Sequence, residues 1–315
     1  MNAVVTGGAG FIGSHLVDAL VERGDGVTVI DNLSTGDLRN IGGHIDSGAI
    51  RFVREDLLGE GWQDLFRGAD RIYHIAADPD VRASAGNPAR IYAQNVTATV
   101  RVLEAMRKAG TREIVFTSTS TVYGEAETIP TPEKYPGMEP ISIYGSTKLA
   151  CEAMISGYAR TYDWRSWVFR FANIIGERSN HGVIWDFIHK LRRDPRELEI
   201  LGDGKQAKSY CSVSACVDAV LFAVSNTSEP FACFNIGTED WIDVTSIAAI
   251  VTEEMGLPDV TLRYTGGDRG WIGDVPRMLL SVEKLKSLGW RPGTTSQASV
   301  REAARALIRE TGDSS

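Results

Sequence analysis

The segment Thr6-Gly7-Gly8-Ala9-Gly10-Phe11-Ile12-Gly13 lies between a short β-branched run, Ala3-Val4-Val5, and a stretch with helical periodicity, Phe11 to Arg23. Three glycines spaced Gly8-x-Gly10-x-x-Gly13 at a strand-to-helix turn admit few folds. One permits the tight turn, one lets backbone approach a pyrophosphate, and one lets helix and sheet pack closely. The helix start then presents backbone N–H groups to phosphate charge. Val27-Thr28-Val29-Ile30 reads next as a strand, ending at Asp31, near the ~20-residue offset expected for a ribose-binding acid. A carboxylate there accepts from both adenosine ribose hydroxyls and repels a 2′-phosphate, which points to NAD rather than NADP.

Ile50 to Val53, Arg71 to Ile75 and Glu113 to Thr117 repeat the strand pattern, with helical stretches at Pro88 to Ala109 and Ser146 to Tyr162. A further strand is expected at Ser166 to Phe171. Strands that read as unbroken apolar runs and alternate with helices predict a parallel sheet covered on both faces, the doubly wound α/β (Rossmann) architecture. After Asn173 the alternation weakens, which marks a smaller, discontinuous C-terminal α/β lobe for substrate. A helix over Cys211 to Ala223 and a strand over Cys233 to Gly237 are expected to return to the first sheet. The resulting division is 1–173 with 211–243 as the NAD-binding domain, and 174–210 with 244–315 as the substrate lobe. A chain of 315 residues is long enough for this split.

Composition narrows the partners. Apolar content of 43% and charged content of 23% fit a chain that folds throughout. A formal net charge of −8 exerts no long-range pull on nucleic acid or anionic lipid. Any bound phosphate is therefore held locally, and no nucleic-acid partner is expected. The first residues read as a strand rather than a leader, and no run approaches the roughly 18 apolar residues of a membrane helix. A cytoplasmic chain without a membrane partner is the expectation. Cys151, Cys211, Cys216 and Cys233 match no zinc ribbon or redox pair, and the histidines show no metal spacing, so free thiols and no metal are expected.

Tyr144-Gly-Ser-Thr-Lys148 opens an expected helix, and a spacing of four places both side chains on one face. The Lys148 ammonium is then expected to stabilise a phenolate at Tyr144, whose ordinary pKa of about 10 is too high for a base near neutrality. Each unit of lowering requires about 1.4 kcal/mol. Lys148 and a positive nicotinamide ring are expected to supply about two or three such units. The same spacing also suits an ordinary exposed helix start; it gains meaning from sharing a chain with the glycine turn. Upstream, Phe116-Thr117-Ser118-Thr119-Ser120-Thr121-Val122-Tyr123-Gly124 sets a hydroxyl cluster at a strand's C-terminal end, where open α/β sheets bind ligands.

TGGAGFIG, DNLS, STSTVYG and YGSTK occur in this order, and together they resemble the extended short-chain dehydrogenase/reductase family, which includes the NAD-dependent epimerases and dehydratases. Within that family the pattern resembles above all the 4-epimerases of UDP-glucose, and the likeness runs on through RFANIIG, HGVIWDFI, LGDGKQAKSY and GDRGWIGDV. The resemblance implies a retained NAD, a UDP-sugar partner, and inversion at C4 of UDP-glucose or UDP-galactose through a 4-keto intermediate. It also implies a homodimer formed through the helices near Pro88 to Ala109 and Ser146 to Tyr162.

By the same resemblance, Gly7, Gly10 and Gly13 hold the NAD pyrophosphate, with Phe11 and Ile12 in the same turn. Asp31 holds the adenosine ribose with Asn32 and Ser34 nearby, and Asp56 and Leu57 meet the adenine. Ile75, Ala76 and Ala77 line the cofactor, with Asn95, Thr117 and Phe171 in reach. Lys148 bonds the nicotinamide ribose as well as tuning Tyr144, and Thr119 bridges the sugar 4-oxygen and the tyrosine. For the substrate, Asn173 meets the diphosphate, and Val183, Ile184 and Phe187 lie beside the uracil. Lys208 and Arg269 form a cationic diphosphate clamp, a charge-assisted contact, and Asp274 is the acid that follows it.

Two departures stand out. Lysine at 208, where arginine is frequent, offers a point charge in place of a bidentate fork. Cys211 to Ala215 lacks a helix-starting aspartate, a loss of about 1 kcal/mol unless Ser214 caps instead. Ser120 and Thr121 stand where a sugar-nucleotide dehydratase or decarboxylase needs acids. A 4-epimerase of UDP-glucuronate or of a UDP-N-acetylhexosamine is the alternative, because the surroundings of Met278 are not legible. A non-catalytic NAD-binding sensor is the reading from another class, opposed by Thr119, Tyr144 and Lys148.

Overall fold

In the computed structural model, which describes residues 1–81, 83–271 and 273–312, strands and helices alternate as the apolar runs predict. The elements are β1 (Asn2–Thr6), α1 (Phe11–Glu22), β2 (Gly26–Asp31), β3 (Ile50–Arg54), β4 (Arg71–His74), α2 (Ala98–Ala109), β5 (Glu113–Thr119), α3 (Ile143–Tyr162), β6 (Arg165–Phe171) and β7 (Phe231–Ile236). They build one seven-stranded sheet in the order β7-β6-β5-β4-β1-β2-β3. The ladders joining β3, β2, β1, β4 and β5 are parallel, with Val4 opposite both Thr28 and Ile72. The strand order reverses beside β1, and the crevice beyond the strands' C-terminal ends at such a reversal is where ligands bind in doubly wound sheets.

The helices begin and end for local reasons. Ser142 caps α3 by accepting from the Gly145 N–H at 3.1 Å, and α3 stops where Asp163 turns left-handed. The single helix expected over Pro88 to Ala109 is three consecutive pieces, Pro88–Tyr92 capped by Asn87, a π turn Ala93–Thr97, and α2. Trp62, Phe66, Val102, Leu103, Met106, Ile114, Phe116, Ile155 and Val168 pack into one core, each buried large apolar side chain contributing roughly 1.5–3 kcal/mol.

Met1–Val122, Ser142–Arg170 and Val220–Phe234 form one compact unit; Tyr123–Ile141, Phe171–Ala219 and the residues from Asn235 onward form a second. The expected boundaries differ, since they place Tyr123–Ile141 and also 171–173, 211–219 and 235–243 in the first lobe, whereas all of these belong to the second unit. The Tyr123–Ile141 excursion belongs there because Thr131 bridges to Leu280 and exchanges backbone bonds with Leu279 and Ser281 at 2.9 Å each. Asn235 completes the tie, accepting from the Tyr123 hydroxyl at 2.7 Å and donating to the Thr131 and Ser281 carbonyls. The second unit has its own core. Ile184, Phe187, Ile188 and Leu191 of helix Val183–Arg193 meet Ile247 and Val251 of helix Val244–Glu254 and Val300, Ala304 and Leu307 of helix Ser296–Gly312.

The helix expected from Cys211 runs over Val213–Asn226. Its start is served by Ser212, whose hydroxyl accepts from the Ala215 N–H at 3.3 Å and bonds to Ser214 at 3.1 Å, so Ser212 rather than Ser214 takes the capping part. All four cysteines are free thiols. Among the described residues, no helix is long and apolar enough to cross a membrane.

Candidate active site

The glycine turn separates the glycines that the protein's own packing requires from one that it does not. A Cβ on Gly7, where φ is +73°, would lie 2.6 Å from the Ala76 nitrogen, and one on Gly13 would lie 2.0 Å from the Gly7 oxygen. One on Gly8 would meet Val29 at 2.7 Å, so these three positions are closed by the protein's own packing. At Gly10, among the described residues beyond its chain neighbours, a Cβ would meet just the Gly7 oxygen at 3.3 Å, so the protein's packing does not itself demand glycine there. Gly10 is also the N-cap of α1, with no side-chain cap and no acid in the first turn. The amides that follow, through Phe11, Ile12 and Gly13, have no intrahelical acceptors and form the positive end of the helix dipole. This cradle fits a pyrophosphate.

Asp31, at the end of β2, is buried and accepts from the Ala9 N–H at 3.0 Å and the Leu33 N–H at 2.8 Å. Burial pushes its carboxyl above the usual range, against the lowering by those two amides. Each oxygen keeps a lone pair for a ribose hydroxyl, and the charge opposes a 2′-phosphate. Asn32 ties Asp56 to this corner at 3.0 Å and accepts from the Ser34 N–H at 2.9 Å. Leu57 spends its side chain in the core, so only its backbone can meet a base. Ile75, Ala76 and Ala77 follow β4 and are partly exposed, with Ile75 and Ala76 bonded to the Thr6 carbonyl. Thr117 and Phe171 are buried. The set suits NAD.

Asn95 is buried. Only 2% exposed, it accepts from the Asp78 N–H at 2.8 Å and donates to the Thr147 hydroxyl at 3.0 Å, tying the chain beyond β4 to α3. The π turn around it is the kind of helix irregularity that gathers at functional sites. Behind it His74 bonds Thr6 at 2.8 Å and Thr99 at 3.0 Å, and burial, with the Lys148 charge, pushes it down to about 3.

Lys148 is buried on α3 and donates to the Thr117 carbonyl at 2.9 Å, with its nitrogen 4.8 Å from the Phe116 ring centre and 6.0 Å from that of Tyr144. Burial brings it down to about 8, while Cys151 and Glu152 pull upward. Tyr144 is partly exposed by surface area, and without a cofactor ring beside it desolvation, then the charges of Cys151 and Asp78, hold its phenol well above the usual range. Lys148 gives one of its three N–H donors to the Thr117 carbonyl and keeps its charge, with two donors left for other partners. Thr119 ends β5, partly exposed, its hydroxyl accepting from the Thr121 N–H and hydroxyl at 3.2 Å each.

The second unit brings together three of the expected substrate residues. Lys208 pairs with buried Asp274 at 2.5 Å, whose other oxygen accepts from the Gly270 N–H at 3.0 Å. Arg269 donates to the Asp274 carbonyl at 3.0 Å and pairs with Glu125 at 2.7 Å. Each cation of the expected clamp therefore already has a carboxylate, and Glu125 carries no motif in the sequence that announces it. Asn173 is partly exposed and donates to the Ser209 carbonyl at 3.2 Å. Ile184 and Phe187, expected beside the uracil, are buried. They pack in the second core, leaving Val183 as the partly exposed member of that stretch, and their spacing with Ile188 and Leu191 is the apolar stripe of an amphipathic helix.

The family model described as "NAD dependent epimerase/dehydratase family" matches residues 3–237. A putative UDP-glucose 4-epimerase of Methanocaldococcus jannaschii is 35% identical over 296 residues, covering 92% of each chain. Among solved structures, a UDP-galactose 4-epimerase is 44% identical with a TM-score of 0.88, covering 98% of this chain and 99% of its own. MoeE5, solved in complex with UDP-glucuronic acid and NAD, is 31% identical with a TM-score of 0.86 over the whole of both chains.

Proposed function

The chain belongs to the NAD-dependent epimerase/dehydratase family of UDP-sugar enzymes, and from that premise we propose that it inverts C4 of a UDP-hexose, interconverting UDP-glucose and UDP-galactose. One observation carries the reading. Lys148, one turn after Tyr144, is bonded to β5 two residues before Thr119, and the positions that follow Thr119 hold Ser120 and Thr121 rather than acids. This arrangement can move a proton on a sugar hydroxyl and lacks the carboxylates there that dehydration or decarboxylation requires.

Asp31 and the Gly10 turn hold NAD through its ribose and pyrophosphate. Bound NAD would supply a ring able to accept and return a hydride, and its positive charge would favour the Tyr144 phenolate. Tyr144 takes the proton from the sugar 4-hydroxyl, directly or through Thr119, and gives it back when the hydride returns. Lys148, titrating near 8, carries its proton at neutrality and supports the phenolate while it exists. Lys208, Arg269 and Asn173 grip the diphosphate, with Val183 beside the uracil. Firm binding at UDP and slack binding at the hexose would let the 4-keto sugar present either face for return of the hydride. The reading extends to a homodimer, supported by Tyr92, Met154 and Tyr162, which stand exposed on the helices expected to pair.

The test is to incubate the purified protein with UDP-glucose, UDP-galactose, UDP-glucuronate and UDP-N-acetylglucosamine, without added cofactor, and identify the products. UDP-glucose and UDP-galactose are expected to interconvert, and Tyr144→Phe to turn over about 10²–10⁴-fold more slowly while keeping its NAD. Inversion of UDP-glucuronate alone moves the assignment to the acid sugar. No C4 epimer from any of the four ends it.

A further inference from the structure

Tyr144 and Lys148 occupy successive turns of α3, and the next position on that face, four residues on, is Glu152. Its side chain is 6% exposed and meets Arg170 of β6 in a fork, Nε to Oε1 at 3.0 Å and Nη2 to Oε2 at 2.6 Å. The same carboxylate accepts from the hydroxyl of Ser118 on β5. One turn earlier, Lys148 donates to the Thr117 carbonyl at 2.9 Å. Successive turns of α3 thus grip successive residues of β5, and the residue that follows is Thr119. Phe116 and Ser118 share the strand face that α3 covers, as strand alternation requires.

A buried ion pair adds little net stability over an apolar pair of the same volume. What a bidentate guanidinium–carboxylate fork adds is a fixed geometry. We propose that Glu152 is a positioning residue for the proton transfer: anchored by Arg170 and bonded to Ser118, it holds α3 in register on β5 and so keeps Tyr144 and Lys148 in place relative to Thr119. The inference rests on the reading that those three groups carry the reaction.

Glu152 also acts on Lys148 through charge. The ionisable groups around Lys148 are Tyr144, Cys151 and Glu152 on α3 and His74 on β4, with Arg170 of β6 behind Glu152. Burial lowers Lys148 to about 8 against the pull of Cys151 and Glu152. Neutralising Glu152 therefore lowers it further, and the ammonium is lost at a lower pH.

The experiment compares wild type, Glu152→Gln and Glu152→Asp, with rates normalised to NAD-bound sites. E152Q is expected to lose about 10²-fold in kcat, the scale of a displacement of about 1 Å, with the KM for the UDP-hexose changed by less than about threefold. The alkaline limb of its kcat–pH profile moves to lower pH, and E152D recovers part of the rate and the wild-type limb. The Lys148 titration, followed by NMR of its side-chain carbon next to the ammonium, shifts down in E152Q independently of turnover. If E152Q does not fold, E152Q/R170Q removes the buried guanidinium left without its carboxylate and is held to the same result. A folded variant with wild-type kcat and an unmoved alkaline limb overturns the proposal. Wild-type protein that epimerises no UDP-hexose overturns the functional reading instead, and the Lys148 titration still reports the coupling.

Discussion

Substituting alanine at Gly10 and at Gly13 separates what NAD needs from what the fold needs. Gly10 has φ −77° and ψ 178°, extended backbone that any residue adopts, and a Cβ there meets only the Gly7 oxygen at 3.3 Å. Replacing glycine by alanine in a compatible conformation stabilises by about 0.4–1 kcal/mol through the unfolded chain, and the close oxygen offsets part of that. Gly10→Ala is therefore expected to unfold within about 1 kcal/mol of wild type. A pyrophosphate seated on this turn meets the new methyl and loses at least one charge-assisted bond of about 1.5–3 kcal/mol, so NAD binds about 10- to 150-fold more weakly. Gly13→Ala is the contrast. Its Cβ falls 2.0 Å from the Gly7 oxygen and 2.9 Å from the Gly8 Cα, both backbone atoms, and the overpacking costs about 3 kcal/mol before any ligand is added. Urea unfolding gives the stabilities, and calorimetry on protein stripped of nucleotide gives the affinities. A folded Gly10→Ala protein that binds NAD as tightly as wild type refutes the assignment of this turn.

Two further outcomes follow from the charges. Glu125 competes with a diphosphate for Arg269 across a half-exposed pair at 2.7 Å; at about 0.2–1 kcal/mol for such a pair, Glu125→Gln is expected to bind UDP about 1.4- to 5-fold more tightly, and weaker UDP binding by calorimetry shows that Glu125 instead aims the arginine. His74, lowered from an ordinary 6.5 to about 3 in the folded protein, is neutral in both states above pH 6.5. Below that the unfolded chain takes up a proton that the folded chain refuses, so stability falls by up to about 1.4 kcal/mol per pH unit toward pH 3. His74→Gln should flatten that part of the stability–pH curve measured by urea unfolding, and an unchanged slope refutes the neutral, buried histidine.

The doubly wound sheet, the glycine turn, Asp31 and the Tyr144–Lys148 spacing were legible in the sequence because each is local. Apolar period, turn chemistry and an offset of four are properties of neighbouring residues, and the backbone translates them directly into strand, turn and helix face. Distant partners were not legible. Glu125 meets Arg269 across 144 residues, and Thr131 meets Leu280 only because the second unit folds between them. Ile184 and Phe187 read as a nucleotide-side motif, yet the same residues form the apolar stripe that the second core consumes. The state of Tyr144 shows the limit most clearly. Sequence spacing puts an ammonium one turn away, but how strongly that charge acts on the phenol depends on solvent exclusion and on where the hydrogen bond to the Thr117 carbonyl holds the ammonium. Those are set by the packing of α3 against β5 in three dimensions, because desolvation is a property of everything around a group and a spacing of four describes only one neighbour.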